Sequence, residues 1–544
     1  MTAYPPRKTP AALTRDEQYE AEQIDQTRKR RSVRAQGATG EIAARADTPD
    51  APQRGRRWLS AIERAVTSLT SSERAFAGLL ILCSIYFIMP IESNIWSRWD
   101  MVYALVHGQA TIDVHAKNTI DVSFYHGHWY SPRSLGLSLA ATPILWVVSL
   151  FFSLDFPARL AFADQVYLMN LFTVIAVSIT AALVFRRFVA RLRPHLAASP
   201  LPFVAAGIFA LATLEYPFSV VFLSHVFGGG LLFISFYLLY HARSQANPTR
   251  WLLLAGLLTG LGVISEYLVG VIFLVLCGYI LLGFPTSRLK SLILYGLGMA
   301  PSAIALAWYD WFAFGNPLSV SYGFVSGSEF AGQRNGFFGV TTPTLSGLWQ
   351  ILVYPRGLLI ESPFLLLIPL GMYLWYLSGG ARLEALAAIA VSIIYPLAVS
   401  SYFLPMAGAY APGPRLLTPV LPFACMGLAW LVNDTRLWLR GLLTVTVGFA
   451  LLMTFLYVVA GVRVAPIYGA YPFADLFLPI LRTGIAPAPN GPTPVNLGEK
   501  LLRLPPALSI YVVALALAAW FYAAAKALIY QHVAPVQGSE DARL

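Results

Sequence analysis

The chain has 544 residues, of which 57% are apolar and only 12% charged, and its net charge is +11. A soluble domain carries about 25% charged residues, so half that share excludes an ordinary soluble enzyme and points to a protein held in a bilayer. Membrane topology accounts for the basic excess, because Lys and Arg gather at the cytosolic ends of spans. Nucleic acid is excluded as a partner on that ground.

Residues 1–72 are polar, with RKRR at 28–31 and RGRR at 54–57. Such a stretch cannot bury a core, and it is expected to be a disordered, basic cytosolic arm. Its basic runs either orient the first span or attract anionic lipid. The first apolar run begins near residue 76, too late for a cleavable signal peptide, and is read as an uncleaved anchor spanning about 76–93. Further apolar runs at 162–185, 226–240, 291–309, 357–377, 440–460 and 507–529 approach the roughly 20 residues that cross a bilayer. Cys83, Cys277 and Cys425 all lie in apolar runs and read as small buried hydrophobes.

Basic clusters at Arg186–Arg193, Arg243 and Arg250, Arg288 and Lys290, Arg382, Arg436 and Arg440, and Lys526 set the register on the cytosolic side. To place Arg186 inside, the chain crosses once between 94 and 186, through 162–185. Segment 136–153, with Pro143, is then a membrane-surface or re-entrant helix. The expected fold is an all-α polytopic membrane protein of about twelve transmembrane helices, both termini cytosolic, with a long outer first loop carrying membrane-surface helices. Residues 73–460 form the main module, 461–530 an outer loop plus the last span, and 531–544 a cytosolic tail. The elaborate loops, roughly 94–161, 214–225, 310–356, 400–415 and 461–506, all face out, so the chemistry is expected there.

The first outer loop is the most polar. Residues 94–134 hold Asp100, Asp113, Asp121, four histidines, Arg98 and Arg133, with Glu92 just upstream. Carboxylates there can act as a general base on an acceptor hydroxyl or hold a divalent cation that neutralises phosphate; structural ion pairing is the competing role for each. His126 and His128 flank Gly127 and in a strand would face the same way, to bind sugar or phosphate or to form half a metal site. Tyr130 and the nearby tryptophans suit an interfacial belt or stacking on a sugar. Arg133, where the loop re-enters the membrane, suits a lipid phosphate, as do Arg356 in VYPRGLLIESPF and Arg415 in AYAPGPRLLTPVLPF, the latter with Tyr410. In LEYPFSVVFLSHVF and ISEYLVG, His225 and Glu266 are ionisable groups beside spans and functional candidates on that basis.

Three stretches, ALVHGQATIDVHAKNTIDVSFYHGHWYSPRSLGLSLAATPI (104–144), NGFFGVTTP with VYPRGLLIESPFLLL (335–367) and AYAPGPRLLTPVLPF (409–423), resemble in order the C-type (GT-C) membrane glycosyltransferases. The similarity is to the branch of aminoarabinose and protein-mannosyl transferases. It implies a GT-C-like catalytic module with acidic catalytic residues in the first outer loop, followed by a membrane-surface helix. The implied reaction inverts the anomeric carbon of a sugar carried on polyprenyl phosphate and passes it to an envelope acceptor, at the outer face of a bacterial-type inner membrane. Residue by residue, Asp121 matches the aspartate before the Gly-His-x-Tyr-Ser motif. Glu92 stands near the acidic position past the first span, Arg133 replaces a lysine, and Arg356 and Arg415 match outer arginines. The expected catalytic set is Asp121, Glu92 and Asp113. The expected substrate contacts are Arg98, His126, His128, Tyr130, Arg133, His225, Arg356, Tyr410 and Arg415. A divalent cation is a candidate cofactor with no ligands assigned. The alternative function is a transporter or flippase of a lipid-linked saccharide.

Overall fold

The structure is a computed structural model, described over residues 69–154, 160–336, 338–406, 410–469 and 472–531. The chain divides into Met1–Arg74 and Ala75–Leu544. Nearly all of the expected basic arm, and the tail beyond 531, lie outside the described residues. At the start of the described part, Thr70 Oγ1 accepts from the Glu73 amide at 3.1 Å while Glu73 Oε2 accepts from the Thr70 amide at 3.0 Å. This reciprocal capping box starts helix α1, Ser71–Ile85.

The described chain is mostly helical. Six helices are long and apolar enough to cross a membrane: Phe162–Leu192, Ser224–Arg243, Arg288–Phe314, Arg382–Ser400, Leu437–Val459 and Pro506–Tyr530. Six further apolar helices of 10–17 residues accompany them. The first expected span is shorter than its apolar run. α1 stops at Ile85, and strand β1, Phe87–Ile88, follows and pairs antiparallel with Val495–Asn496. The late loop is thus stitched to the entrance of the first loop.

The first loop opens with α2, Ser93–Val106, whose Trp99 and Val102 are buried in the main core. A hairpin follows, β2 (Ser123–Tyr125) and β3 (His128–Tyr130), turning at His126-Gly127. Both turn residues have positive φ, 49° and 88°, the geometry of a two-residue hairpin turn that glycine favours. Then comes α3, Leu135–Ser149, the segment expected at the membrane surface. At about 22 Å it is shorter than the roughly 30 Å hydrocarbon core. Leu137, Ala141 and Leu145 are buried, while Trp146, Val147 and, just beyond the helix, Phe151 are exposed.

Three helices frame the site. α4, Ser224–Arg243, is buried along most of its length. α5, Thr249–Ser265, breaks at Glu266. α6, Arg382–Ser400, precedes Tyr402. Gly256 of α5 has no room for a Cβ, which would strike Tyr295 and Gly298 of the neighbouring long helix. Small residues let backbones approach this closely where packing, not water, drives helix association.

Candidate active site

The N-terminus of α4, the break after α5 and the segment after α6 meet the start of α2 around a cavity of about 580 Å³. Seven expected residues line it: Glu92, Arg98, Asp121, Arg133, His225, Tyr410 and Arg415. They come from positions more than 300 apart in sequence, so only the fold assembles them.

Asp121 is fully buried. Its Oδ2 accepts from both Nε and Nη2 of Arg133, two charge-assisted contacts that converge on one carboxylate oxygen. Asp121 holds that guanidinium above its ordinary range against the opposing effect of burial. The remaining oxygen, Asp121 Oδ1, is buried without a hydrogen-bond partner. The backbone is tied as well: Thr119 Oγ1 accepts from the Asp121 amide at 3.0 Å and donates to Ser93 O at 2.7 Å. Thr119 therefore links Asp121 to the residue next to Glu92.

Glu92 is half-buried and lies 3.9 Å from Arg463. Burial pushes its carboxyl above the ordinary carboxylate range, with Arg415 and Arg463 pulling the other way. Arg463 also lies over the ring of Tyr410 at 4.3 Å. Its backbone is held by Asn490, whose amide donates to Ala460 O and Arg463 O, each at 3.1 Å, and accepts from the Ala465 amide at 2.9 Å. The loop after 461, to which the sequence assigns no role, thereby builds one wall of the cavity, with Gly461 and Val462 in the lining.

Arg98 is set by a relay. Its Nη2 donates to Ser224 Oγ at 2.7 Å, and Ser224 donates to Glu266 Oε2 at 2.9 Å. His225 Nδ1 lies 2.7 Å from the same oxygen. Nε of Arg98 donates to Asn94 Oδ1 at 3.3 Å, and Nη1 is buried with no partner. Burial and the neighbouring Arg133 pull the guanidinium down to about 10, still well above neutrality. Arg415 Nε is likewise buried and unpartnered. Among the residues that line the cavity, Arg98, Arg415, Asp121 and Gln333 thus each hold a buried side-chain atom with no hydrogen-bond partner in the protein. Such groups cost free energy unless a ligand completes them.

Five expected residues lie elsewhere. Asp113 bridges its own hairpin: Oδ1 accepts from the Trp129 amide and Oδ2 from His128 Nδ1, each at 2.7 Å, with both side chains substantially exposed. His126 sits in the hairpin turn, not in a strand, so it does not share a face with His128. Tyr130 is buried in a satellite cluster with Met101, Leu135, Tyr309 and Phe314. Arg356, at φ 71°, donates Nη1 to Ala411 O at 3.2 Å; it braces the segment carrying Tyr410 and Arg415 from behind.

Glu266, Asn94, Tyr322, Gln333 and Tyr402 line the cavity without being in the expected set. Glu266 did leave a signal, as an acid interrupting an apolar hairpin. The tyrosines were indistinguishable from an interfacial belt.

Among the described residues no three His, Cys, Asp or Glu side chains gather as a metal site would require. Of the carboxylates here, Asp121 pairs with Arg133, and Glu266 lies against the His225 imidazole.

No family model matches the chain, and no curated protein matches it. Among solved structures it is similar to ArnT from Cupriavidus metallidurans bound to undecaprenyl phosphate. The TM-score is 0.49 at 15% identity, covering 84% of this chain and 77% of that one. It is also similar to the apo oligosaccharyltransferase of Archaeoglobus fulgidus, with a TM-score of 0.43 at 13% identity, covering 86% and 57%. Overlaps this loose carry no residue's role across, and what this cavity can do is read from its own side chains.

Proposed function

We propose that this chain is an integral membrane glycosyltransferase that moves a sugar from polyprenyl phosphate to an envelope acceptor at the outer face. The observation that supports it best is the cavity lined together by Arg98, Arg415 and Asp121, each of which also holds a buried side-chain atom with no hydrogen-bond partner in the protein. A lipid phosphate has the charge and acceptors to complete the arginines. An acceptor hydroxyl has the hydrogen to complete the carboxylate.

In the reaction the acceptor oxygen attacks the anomeric carbon as the bond from that carbon to the phosphate oxygen breaks. The hydroxyl proton passes to Asp121 Oδ1, and the electron pair leaves with the phosphate. Arg98 and Arg415, preset by the fold, stabilise the negative charge that grows on that phosphate. Arg133 orients Asp121. Glu92, across the cavity entrance, is the second acid; its raised proton affinity suits hydrogen bonding to the sugar or sharing of the proton. Attack from the face opposite the phosphate inverts the anomeric centre.

The test uses purified full-length protein in proteoliposomes with radiolabelled polyprenyl-phosphate sugars and an envelope extract. Transfer by the wild type that Asp121→Asn abolishes, with folding and donor binding retained, supports the transferase. No transfer, together with movement of labelled lipid across the vesicle, replaces it with a flippase.

A further inference from the structure

A second polar hollow lies at the far ends of the helices that reach the cavity. α4 begins at the cavity with His225 and ends at Arg243, while α6 begins at Arg382 and ends just before Tyr402. A 20-residue helix is about 30 Å long, so cavity and hollow lie at opposite ends of α4. The two ends meet where Arg243 pairs with Glu384.

The hollow measures about 830 Å³, and Arg191, His241, Ser244 and Arg382 line it together with that pair. Its one acid, Glu384, is buried, and its Oε1 accepts from Arg243 and, at 2.6 Å, from the Tyr279 hydroxyl. Among the described residues no carboxylate lies within ion-pair distance of Arg191 or Arg382. Both guanidiniums rest on aromatic faces instead, Arg191 over Tyr237 at 5.0 Å and Arg382 over Tyr376 at 5.8 Å. Arg191 Nη1 is also 3.1 Å from His241 Nδ1, where the guanidinium donates to the imidazole. Leu282, beside lining residue Gly283, is 66% exposed. A positive hollow at helix ends, opening beside exposed leucine, has the layout of a headgroup site with acyl chains running down the outside.

We propose that this hollow binds the phosphate of an anionic membrane lipid, through Arg191, His241 and Arg382. It is separate from the cavity, and the site holds whether or not the transferase reading does.

The test is native mass spectrometry of the full-length protein in detergent, offered equal phosphatidylglycerol and phosphatidylcholine. Inorganic phosphate is offered in a parallel arm. Wild type is expected to retain phosphatidylglycerol over phosphatidylcholine by at least about fivefold, the weight of roughly one basic residue near a membrane surface. Arg191→Gln with Arg382→Gln should bring the ratio near unity, and Lys at both positions should restore most of it. Arg382→Gln alone, at an exposed head with no carboxylate partner, covers the case in which the double variant does not fold; it should lower the ratio by itself. Equal ratios in wild type and folded glutamine variants overturn the site. If inorganic phosphate displaces the lipid at matched concentration, this is a free-anion site and the lipid assignment falls.

Discussion

Two copies of one tetrapeptide, Thr111-Ile112-Asp113-Val114 and Thr119-Ile120-Asp121-Val122, sit eight residues apart in the first loop and end in opposite environments. In the first, Ile112 is buried and Val114 is 66% exposed; in the second, Ile120 is 64% exposed and Val122 is buried. Ile112 and Val122 enter the same small cluster against Ala104. Each copy therefore anchors itself through one apolar side chain, but on opposite sides of its aspartate. Asp113 follows its anchor and turns out toward the hairpin. Asp121 precedes its anchor and is carried inward to Arg133. Identical local sequence thus gives a surface brace in one place and a buried, cation-clamped acid in the other. The neighbour that each loop buries decides which.

The sharpest test of that contrast is Asp121→Asn. The change keeps the shape and removes both the proton acceptor and the charge facing Arg133. Turnover is expected to fall roughly 10²–10⁴-fold, the usual weight of a general base, in single-turnover assays with donor binding measured separately. Next in size is Arg98→Ala, which removes one cavity donor and its tie to Ser224. Hydrogen bonds to charged groups are worth about 1.5–3 kcal/mol, so affinity for polyprenyl phosphate should weaken about 10- to 100-fold, read by titration with the sugar-free lipid. Unchanged affinity would remove Arg98 from the phosphate site.

The contrast also explains what sequence made legible. A charge-poor chain with long apolar runs and basic clusters at alternate ends gives a polytopic helical protein directly, because bilayer thickness and charge asymmetry act on the chain locally. The site was legible in its charged members, since Glu92, Arg98, Asp121, Arg133 and Arg415 have little reason to stand beside apolar spans unless they face a cavity. It was not legible where role depends on partners far along the chain. Nothing near Asp113 or Asp121 shows that only one will meet Arg133. Nothing in 461–506 shows that Asn490 will pin Arg463 beside Glu92. Tyr130 and Tyr410 look alike in sequence, yet one packs in a satellite cluster and the other lies under Arg463 at the cavity.

Glu92 extends the comparison to a third carboxylate, one with a loose cation partner. Burial raises its proton affinity, so on lowering the pH it takes up a proton before an ordinary carboxylate would. If its ionised form is required, kcat/KM falls on the acid side at a pH above the normal carboxylate range. Glu92→Gln should remove that limb and leave a lower, flatter profile. A limb that persists unchanged in the variant assigns the titration to another group.

The smallest expected effect belongs to the other copy. Asp113→Asn keeps an oxygen able to accept from the Trp129 amide and weakens only the contact with His128, which is mostly in water. Exposed pairs of this kind are worth about 0–1 kcal/mol, so the thermal midpoint should drop by no more than a few degrees. Turnover should stay within about twofold of wild type, because Asp113 touches the hairpin and not the cavity. A loss near that of Asp121→Asn would mean that the two copies share the chemistry after all. The hairpin would then have to fold over the cavity during the reaction, carrying Asp113 and His128 to the substrate.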